Sequence, residues 1–234
     1  MRLDKFLSET GKASRKEAGI AAKKGLITVN GAVVKKADVH VDPEKDRITF
    51  CGEEITYRQF TYIIMNKPQG YVSVTEAKGD IPAQTLLPEA EQKMGLFPAG
   101  RLDKNTTGLL LLTNDGATAH RLTAPKHHVD KVYAFTVKFP ISEADVKALC
   151  GGVTLEDGYE TLPCMVEMIS EREGRITLRE GKYHQIKRMM IAVHNQITSL
   201  ERISYGPLTT EGLEVGQWRY LSDEEIKLIT NIFS

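Results

Sequence analysis

The chain has 234 residues, of which 41% are hydrophobic and 26% charged, with 31 Lys and Arg against 31 Asp and Glu. That is the balance of a globular protein with room for one large or two smaller cores, and no apolar run approaches the roughly 18 residues that a membrane-spanning helix needs. Cys51, Cys150 and Cys164 are few, odd in number and without CxxC spacing, which argues against a disulfide framework and a zinc site and reads them as reduced packing residues.

Charge appears at once in Met1-Arg2-Leu3-Asp4 with no apolar segment after it, so no signal peptide and a cytoplasmic location are expected. The zero net charge conceals an uneven distribution. Residues 1–36 hold nine Lys and Arg against three Asp and Glu. Leu3, Phe6 and Leu7 recur at helical spacing, Gly11 breaks the run, and Ser14 with Glu17 forms a capping box for a second helix ending at Gly25. Two strands around Asn30-Gly31 follow as a hairpin. A basic cluster in so small a unit is suited to phosphates, because counterion release favours its binding to nucleic acid. Arg47 to Phe50 reads as a further strand and Ile55 to Phe60 as the linker, giving an N-terminal domain of residues 1–58 and a second of residues 59–234.

In the second domain, Thr61 to Met65 reads as a strand, and Asn66-Lys67-Pro68-Gln69-Gly70 as a turn fixed by Pro68 and Gly70. Ile81-Pro82 to Leu87-Pro88 predicts a short helix bounded by prolines. Leu109 to Leu112, closed by Asn114-Asp115-Gly116, predicts a strand buried on both faces. Ahead of it, Gly100 and Gly108 bracket a polar loop in which Arg101 and Asp103 can converge if the segment is extended. A carboxylate beside a cation suits catalysis, but an Asp in a glycine-flanked loop is also a common turn former, and this stretch alone does not choose.

Ala117 to Leu122 predicts a helix, and Tyr133 to Val137 an alternating strand. His120, His127 and His128 lack a third ligand at convincing spacing, so no metal is expected. Ser142 caps a helix ending at Gly151-Gly152, and Val153 to Leu155, Met165 to Ile169 and Arg175 to Leu178 predict strands. The following helix carries Lys187 and Arg188 in its first turn. The helix dipole disfavours cations there, so each needs a carboxylate, a phosphate or solvent. A capping box at Ser222 and Glu225 opens a last helix, expected to dock on the sheet.

The segment Gly100-Arg101-Leu102-Asp103-x-x-Thr106-x-Gly108-Leu109 resembles the catalytic signature of bacterial ribosomal RNA pseudouridine synthases. Lys131-x-Tyr133 and Gly181-Lys182-x-His184-Gln185-Ile186-Lys187-Arg188 resemble the second and third motifs of that family, and Pro125-x-His127-His128 points to its RsuA-type branch. The pattern Ser14-Arg15-x-x-Ala18 with Gly25-x-Ile27-x-Val29-Asn30-Gly31 resembles the alpha-L RNA-binding motif of the S-four class of ribosomal proteins.

The resemblance implies an α+β protein: a small S-four-like RNA-binding domain, then a catalytic domain on a mixed, mainly antiparallel sheet with flanking helices. It implies isomerisation of one uridine in small-subunit (16S) ribosomal RNA, at a site of the uridine-516 type, either as naked RNA or as an assembly intermediate with ribosomal proteins. The rivals are a large-subunit (23S) uridine, a noncatalytic RNA-binding assembly factor and a glycosidic hydrolase. Asp103, Tyr133 and Lys187 would be catalytic, with Lys187 holding Asp103 ionised and oriented and Tyr133 stacking on the base. Arg101, Ile186, Arg188, Lys67 and His128 would contact the substrate, and Arg2, Lys5, Ser14, Arg15, Lys23 and Lys24 the RNA backbone or grooves. A monomer without cofactor or metal is expected, since the reaction breaks and remakes one bond and the sequence has no phosphate loop or dinucleotide motif.

Overall fold

The computed structural model describes every residue except Thr56, Arg58, Ala77, Lys78, Pro125, Lys126, His128 and residues 232–234. The chain divides into two compact units, Met1–Thr61 with Gln84–Phe97, and Tyr62–Ala83 with Pro98–Ser234. A single break between residues 58 and 59 therefore omits the return of Gln84–Phe97 to the first unit. That return is close: a Cβ on Gly11, at φ +68°, would lie 2.5 Å from the Ala90 carbonyl oxygen.

In the first unit, α1 (Leu3–Glu9) and α2 (Arg15–Lys24) precede four short strands, β1 (Ile27–Val29), β2 (Ala32–Val33), β3 (Ile48–Phe50) and β4 (Glu53–Ile55). The strands pair antiparallel in the order β2-β1-β3-β4. The Ser14 hydroxyl accepts from the Glu17 N–H while the Ser14 N–H donates to the Glu17 carboxylate, which fills donors the helix start leaves open. Asn30 and Gly31 both have positive φ, as the tight hairpin requires. Leu3, Phe6, Leu7, Ala18, Ala22, Ile27 and Ile48 close a core of their own.

The second unit contains β5 (Tyr62–Lys67), β6 (Thr107–Thr113), α3 (Gly116–Thr123), β7 (Lys131–Val137), α4 (Glu143–Gly151), β8 (Met165–Met168), β9 (Glu173–Leu178), α5 (Gln185–Ala192), β10 (Ile197–Tyr205), β11 (Trp218–Tyr220) and α6 (Asp223–Asn231). These strands run β8-β9-β7-β10-β6-β5-β11 across one sheet, antiparallel except where β10 meets β6. This is the expected α+β architecture on a mixed, mainly antiparallel sheet. Leu109 to Leu112 are fully buried, as a central strand covered on both faces must be.

The structure corrects several local expectations. Ile81–Pro82 is a strand paired parallel with Tyr71–Val72, and only Ala83–Leu86 coils, as a single 3₁₀ turn. Thr154 makes an isolated bridge to Glu160, and no strand forms at Val153 to Leu155. Cys51 is exposed in a turn at φ +53° and is no packing residue. Strand β10 has no counterpart in the sequence expectations, and α6 lies against α3, with Ile229 buried.

Candidate active site

The loop between Gly100 and Gly108 is held from below by two buried cations. Lys67 is fully buried at the end of β5 and donates to the carbonyls of Pro68 (2.9 Å), Tyr71 (2.9 Å) and Lys104 (3.5 Å). Arg202, 1% exposed on β10, donates to the carbonyls of Leu109 (2.8 Å) and Gly100 (3.4 Å). Further ties are the Leu102 N–H to Ser73 Oγ and the Gly70 N–H to the Lys104 carbonyl. Gly108 is at φ +95° where β6 passes β10, and a Cβ there would lie 2.3 Å from the Arg202 carbonyl oxygen. No other residue type fits that approach.

The partner helix α5 opens without a side-chain cap. His184 precedes it in the left-handed region at φ +51°, a conformation that non-glycine residues adopt at a cost and often at functional sites. The turn is fixed by Glu180, buried at the end of β9, whose carboxylate accepts from Tyr159 Oη (2.6 Å), the Leu162 N–H (2.9 Å) and Gln185 Nε2 (2.6 Å).

These two supports bring together residues 84 positions apart. Lys187 Nζ donates to Asp103 Oδ2 at 2.7 Å, and His184 Nε2 lies 3.7 Å from Asp103 Oδ1. The Asp103 and Lys187 side chains are each 27% exposed, so the pair is accessible from the cleft. Of the carboxylate, phosphate or solvent that the helix dipole asks for, the cation near the start of α5 thus has the carboxylate. A cleft of about 680 Å³ opens above the pair, lined by Arg101, Asp103, Tyr133, Ile186 and Lys187, with Arg202 behind them. The pairing of β7 with β10 shifts register between Val132 and Tyr133, leaving Ile203 as the extra residue; such a bulge re-aims side chains on either strand. Arg101 is exposed and forms no hydrogen bond or ion pair with the described residues.

Burial also shapes the titration of the cleft floor. It pushes the Lys67 ammonium down to about 8, with Asp103 opposing the shift and Arg202 and Lys187 adding to it. Lys131, on the cleft wall and bonded to the Val129 carbonyl, is likewise pushed down by burial and by Arg202 to about 8.

Two expected substrate contacts are placed elsewhere. Lys67 is spent on backbone carbonyls beneath the loop and cannot meet a phosphate. Arg188 turns away from the main cleft to Glu156 and Asp157, each at 2.6 Å, and those carboxylates hold its guanidinium charged. His128 lies outside the described residues. In the first unit, Arg2 pairs with Asp4 (2.7 Å), Lys5 with Glu9 (3.5 Å), and Ser14 serves as the helix cap. Arg15, Lys23 and Lys24 are exposed and form no ion pair with the described residues. Arg202, Glu180 and His184 are the site residues that sequence reasoning did not single out. His184 lay within a recognised motif, whereas Arg202 and Glu180 are single charges in strand-like runs and carried no local signal.

The chain is similar to known proteins over nearly its whole length. Residues 61–192 match the family model for RNA pseudouridylate synthases, and residues 1–48 match that of the S4 domain. The chain is 44% identical to an uncharacterized RNA pseudouridine synthase of Bacillus subtilis, with 98% of each chain covered. It is 42% identical to ribosomal small subunit pseudouridine synthase A of Vibrio cholerae, covering 98% of this chain and 99% of that one. The corresponding Escherichia coli enzyme is 37% identical over 97% and 98%. Among solved structures, one of a pseudouridylate synthase superposes with a TM-score of 0.68 at 36% identity, covering 98% of this chain and 99% of the other. By matched domains, near-complete coverage and shared fold, the chain belongs to the RNA pseudouridine synthase family.

Proposed function

We propose that this enzyme isomerises one uridine of small-subunit ribosomal RNA in the cytoplasm, at a site of the uridine-516 type. The observation that carries this reading is the Asp103–Lys187 pair, 2.7 Å apart and open to a cleft large enough for an everted nucleotide. The small-subunit substrate is inferred from the Vibrio cholerae and Escherichia coli relatives, which match over nearly their full length.

In the reaction the N1–C1′ bond breaks, the base rotates, and a C5–C1′ bond forms while the C5 proton is lost and N1 gains one. Asp103 serves the sugar, either as nucleophile at C1′ or as the base that begins elimination. Both roles need an ionised carboxylate at a fixed position, and Lys187 supplies the counter-charge that fixes it. Tyr133 and Ile186 offer the flat and apolar surfaces for the uracil, and the unpaired Arg101 guanidinium a donor for the RNA backbone. Everting the base costs a few kcal/mol, which these contacts and phosphate contacts from Arg15, Lys23 and Lys24 in the first domain, residues 1–58, offset.

The test is to incubate the protein with small-subunit ribosomal RNA and map pseudouridine by carbodiimide treatment and primer extension. Wild type is expected to modify one uridine. Asp103→Asn is expected to modify none while its RNA affinity stays within a few fold of wild type. Unmodified RNA after treatment with folded wild-type protein overturns the assignment. Modification of large-subunit RNA alone overturns the substrate.

A further inference from the structure

The mechanism above leaves an exposed aromatic group beside Asp103 unused. The Tyr183 ring stacks on the His184 imidazole with centroids 3.8 Å apart and planes 20° from parallel. His184 in turn lies 3.7 Å from Asp103. Tyr183 is 71% exposed. One of its faces is taken by His184, so the other is open to solvent.

The ring borders the main cleft and also a neighbouring concavity of about 650 Å³, lined in addition by Arg188, Ile191, Ile197, Glu156 and Asp157. The cations on this second surface are committed: Arg188 to Glu156 and Asp157, and Lys187 to Asp103. With no uncommitted Lys or Arg, an exposed Ile191 and a free aromatic face, it suits a base far better than a phosphate.

Everting a uridine strips its neighbours of a stacking partner, and an aromatic ring at the right place restores one whatever the neighbour's identity. We propose that Tyr183, seated on His184, is the stacking platform for the nucleotide next to the target uridine, with the second concavity receiving that base. The left-handed backbone at His184 holds the platform beside Asp103, so stacking of the neighbour and presentation of the target to the carboxylate are one event. This rests on the pseudouridine synthase reading of the cleft given above.

Two measurements on the full chain test it. In the first, a single-stranded oligouridylate carrying one 2-aminopurine is titrated with protein, with saturation followed by anisotropy. Wild type and Tyr183→Phe are expected to quench the 2-aminopurine at saturation, and Tyr183→Ala to lose most of that quenching. In the second, Tyr183→Ala is expected to raise KM for the modified ribosomal RNA about tenfold with a smaller change in kcat. An abasic residue beside the target should raise the wild-type KM similarly and add little in Tyr183→Ala. Equal quenching by Tyr183→Ala and wild type, or losses from the two changes that simply multiply, would overturn the platform. If wild type makes no pseudouridine, the proposed function fails, and the quenching comparison still decides the stacking.

Discussion

Lys67 is a fully buried ammonium that donates to the backbone carbonyls of Pro68, Tyr71 and Lys104, with Asp103 attracting it and Arg202 and Lys187 repelling it. Its pKa falls from the ordinary 10.5 to about 8, and that of Lys131 does the same. Below pH 8 both folded and unfolded chains hold these protons, and the folded state bears the full cost of burying the charges. Above pH 8 the folded chain sheds them while the unfolded chain keeps them, so stability rises with pH, by up to about 1.4 kcal/mol per pH unit for each lysine. The opposing groups act later: burial pushes the Cys164 thiol from 9.0, and the Tyr57, Tyr62 and Tyr205 phenols from 10.0, up to about 12. The folded state then keeps protons that the unfolded chain loses, so from about pH 9 the gain is eroded. Urea denaturation across pH 8 to 9 should show a rising free energy of unfolding, and Lys67→Met or Lys131→Met should each remove about half of that slope. A wild-type profile flat across this window would contradict the burial of these charges. None of this was legible in the sequence, where the family resemblance made Lys67 a substrate contact, because desolvation depends on which strands later cover a residue.

At the level of elements, what was legible was local, though not every local expectation held: the proline-bounded helix at Ile81 to Pro88 gave way to a strand and a single 3₁₀ turn. The capping boxes at Ser14 and Ser222 and the Asn30-Gly31 hairpin are each specified within a few residues, and all three form. The polar face of β10 was not legible. Thr198, Ser199, Glu201, Arg202 and Ser204 obscure its alternation, yet it is a central strand between β7 and β6. Its one locatable signal is Leu200, Arg202 and Tyr205 facing inward between Asn195 and Gly206. This strand explains Gly108, which the sequence offered only as the far bracket of the polar loop and a motif position: the parallel contact with Arg202 leaves no space for a side chain. Gly108→Ala combines a strained φ with a backbone clash, and is expected to destabilise the protein by at least about 2 kcal/mol. It should also lower kcat at temperatures where the variant remains folded, since Asp103 lies on the same loop; Gly116→Ala, whose Cβ meets nothing within 4 Å, should do neither. Chemical denaturation and turnover measured on both variants separate the close approach from a general glycine effect.

For the molecule as a whole, a formal charge of zero conceals two opposite tendencies. Residues 1–36 carry nine Lys and Arg against three Asp and Glu, so the rest of the chain holds the compensating acidic excess. A long polyanion is therefore expected to gain most of its nonspecific affinity from residues 1–36, where Arg15, Lys23 and Lys24 are exposed and form no ion pair with the described residues. The Asp103 site is expected to contribute less to that term, because Lys67, Lys187, Arg188 and Arg202 are already matched to carboxylates or carbonyls and Arg101 alone of the cations named there is left for a phosphate. Affinity and chemistry should then respond to different variables. Replacing Lys23 and Lys24 together by Ala is expected to lower the slope of log K against log salt by about 1 to 2, in proportion to the phosphates no longer neutralised. The loss should be nearly the same for ribosomal RNA and for an unrelated RNA of equal length, since phosphate contacts carry no sequence information. Fluorescence anisotropy across a salt series on both RNAs measures this. An unchanged slope would move the electrostatic footprint off the basic module, and a loss confined to ribosomal RNA would mean that these lysines read a particular shape and not charge alone.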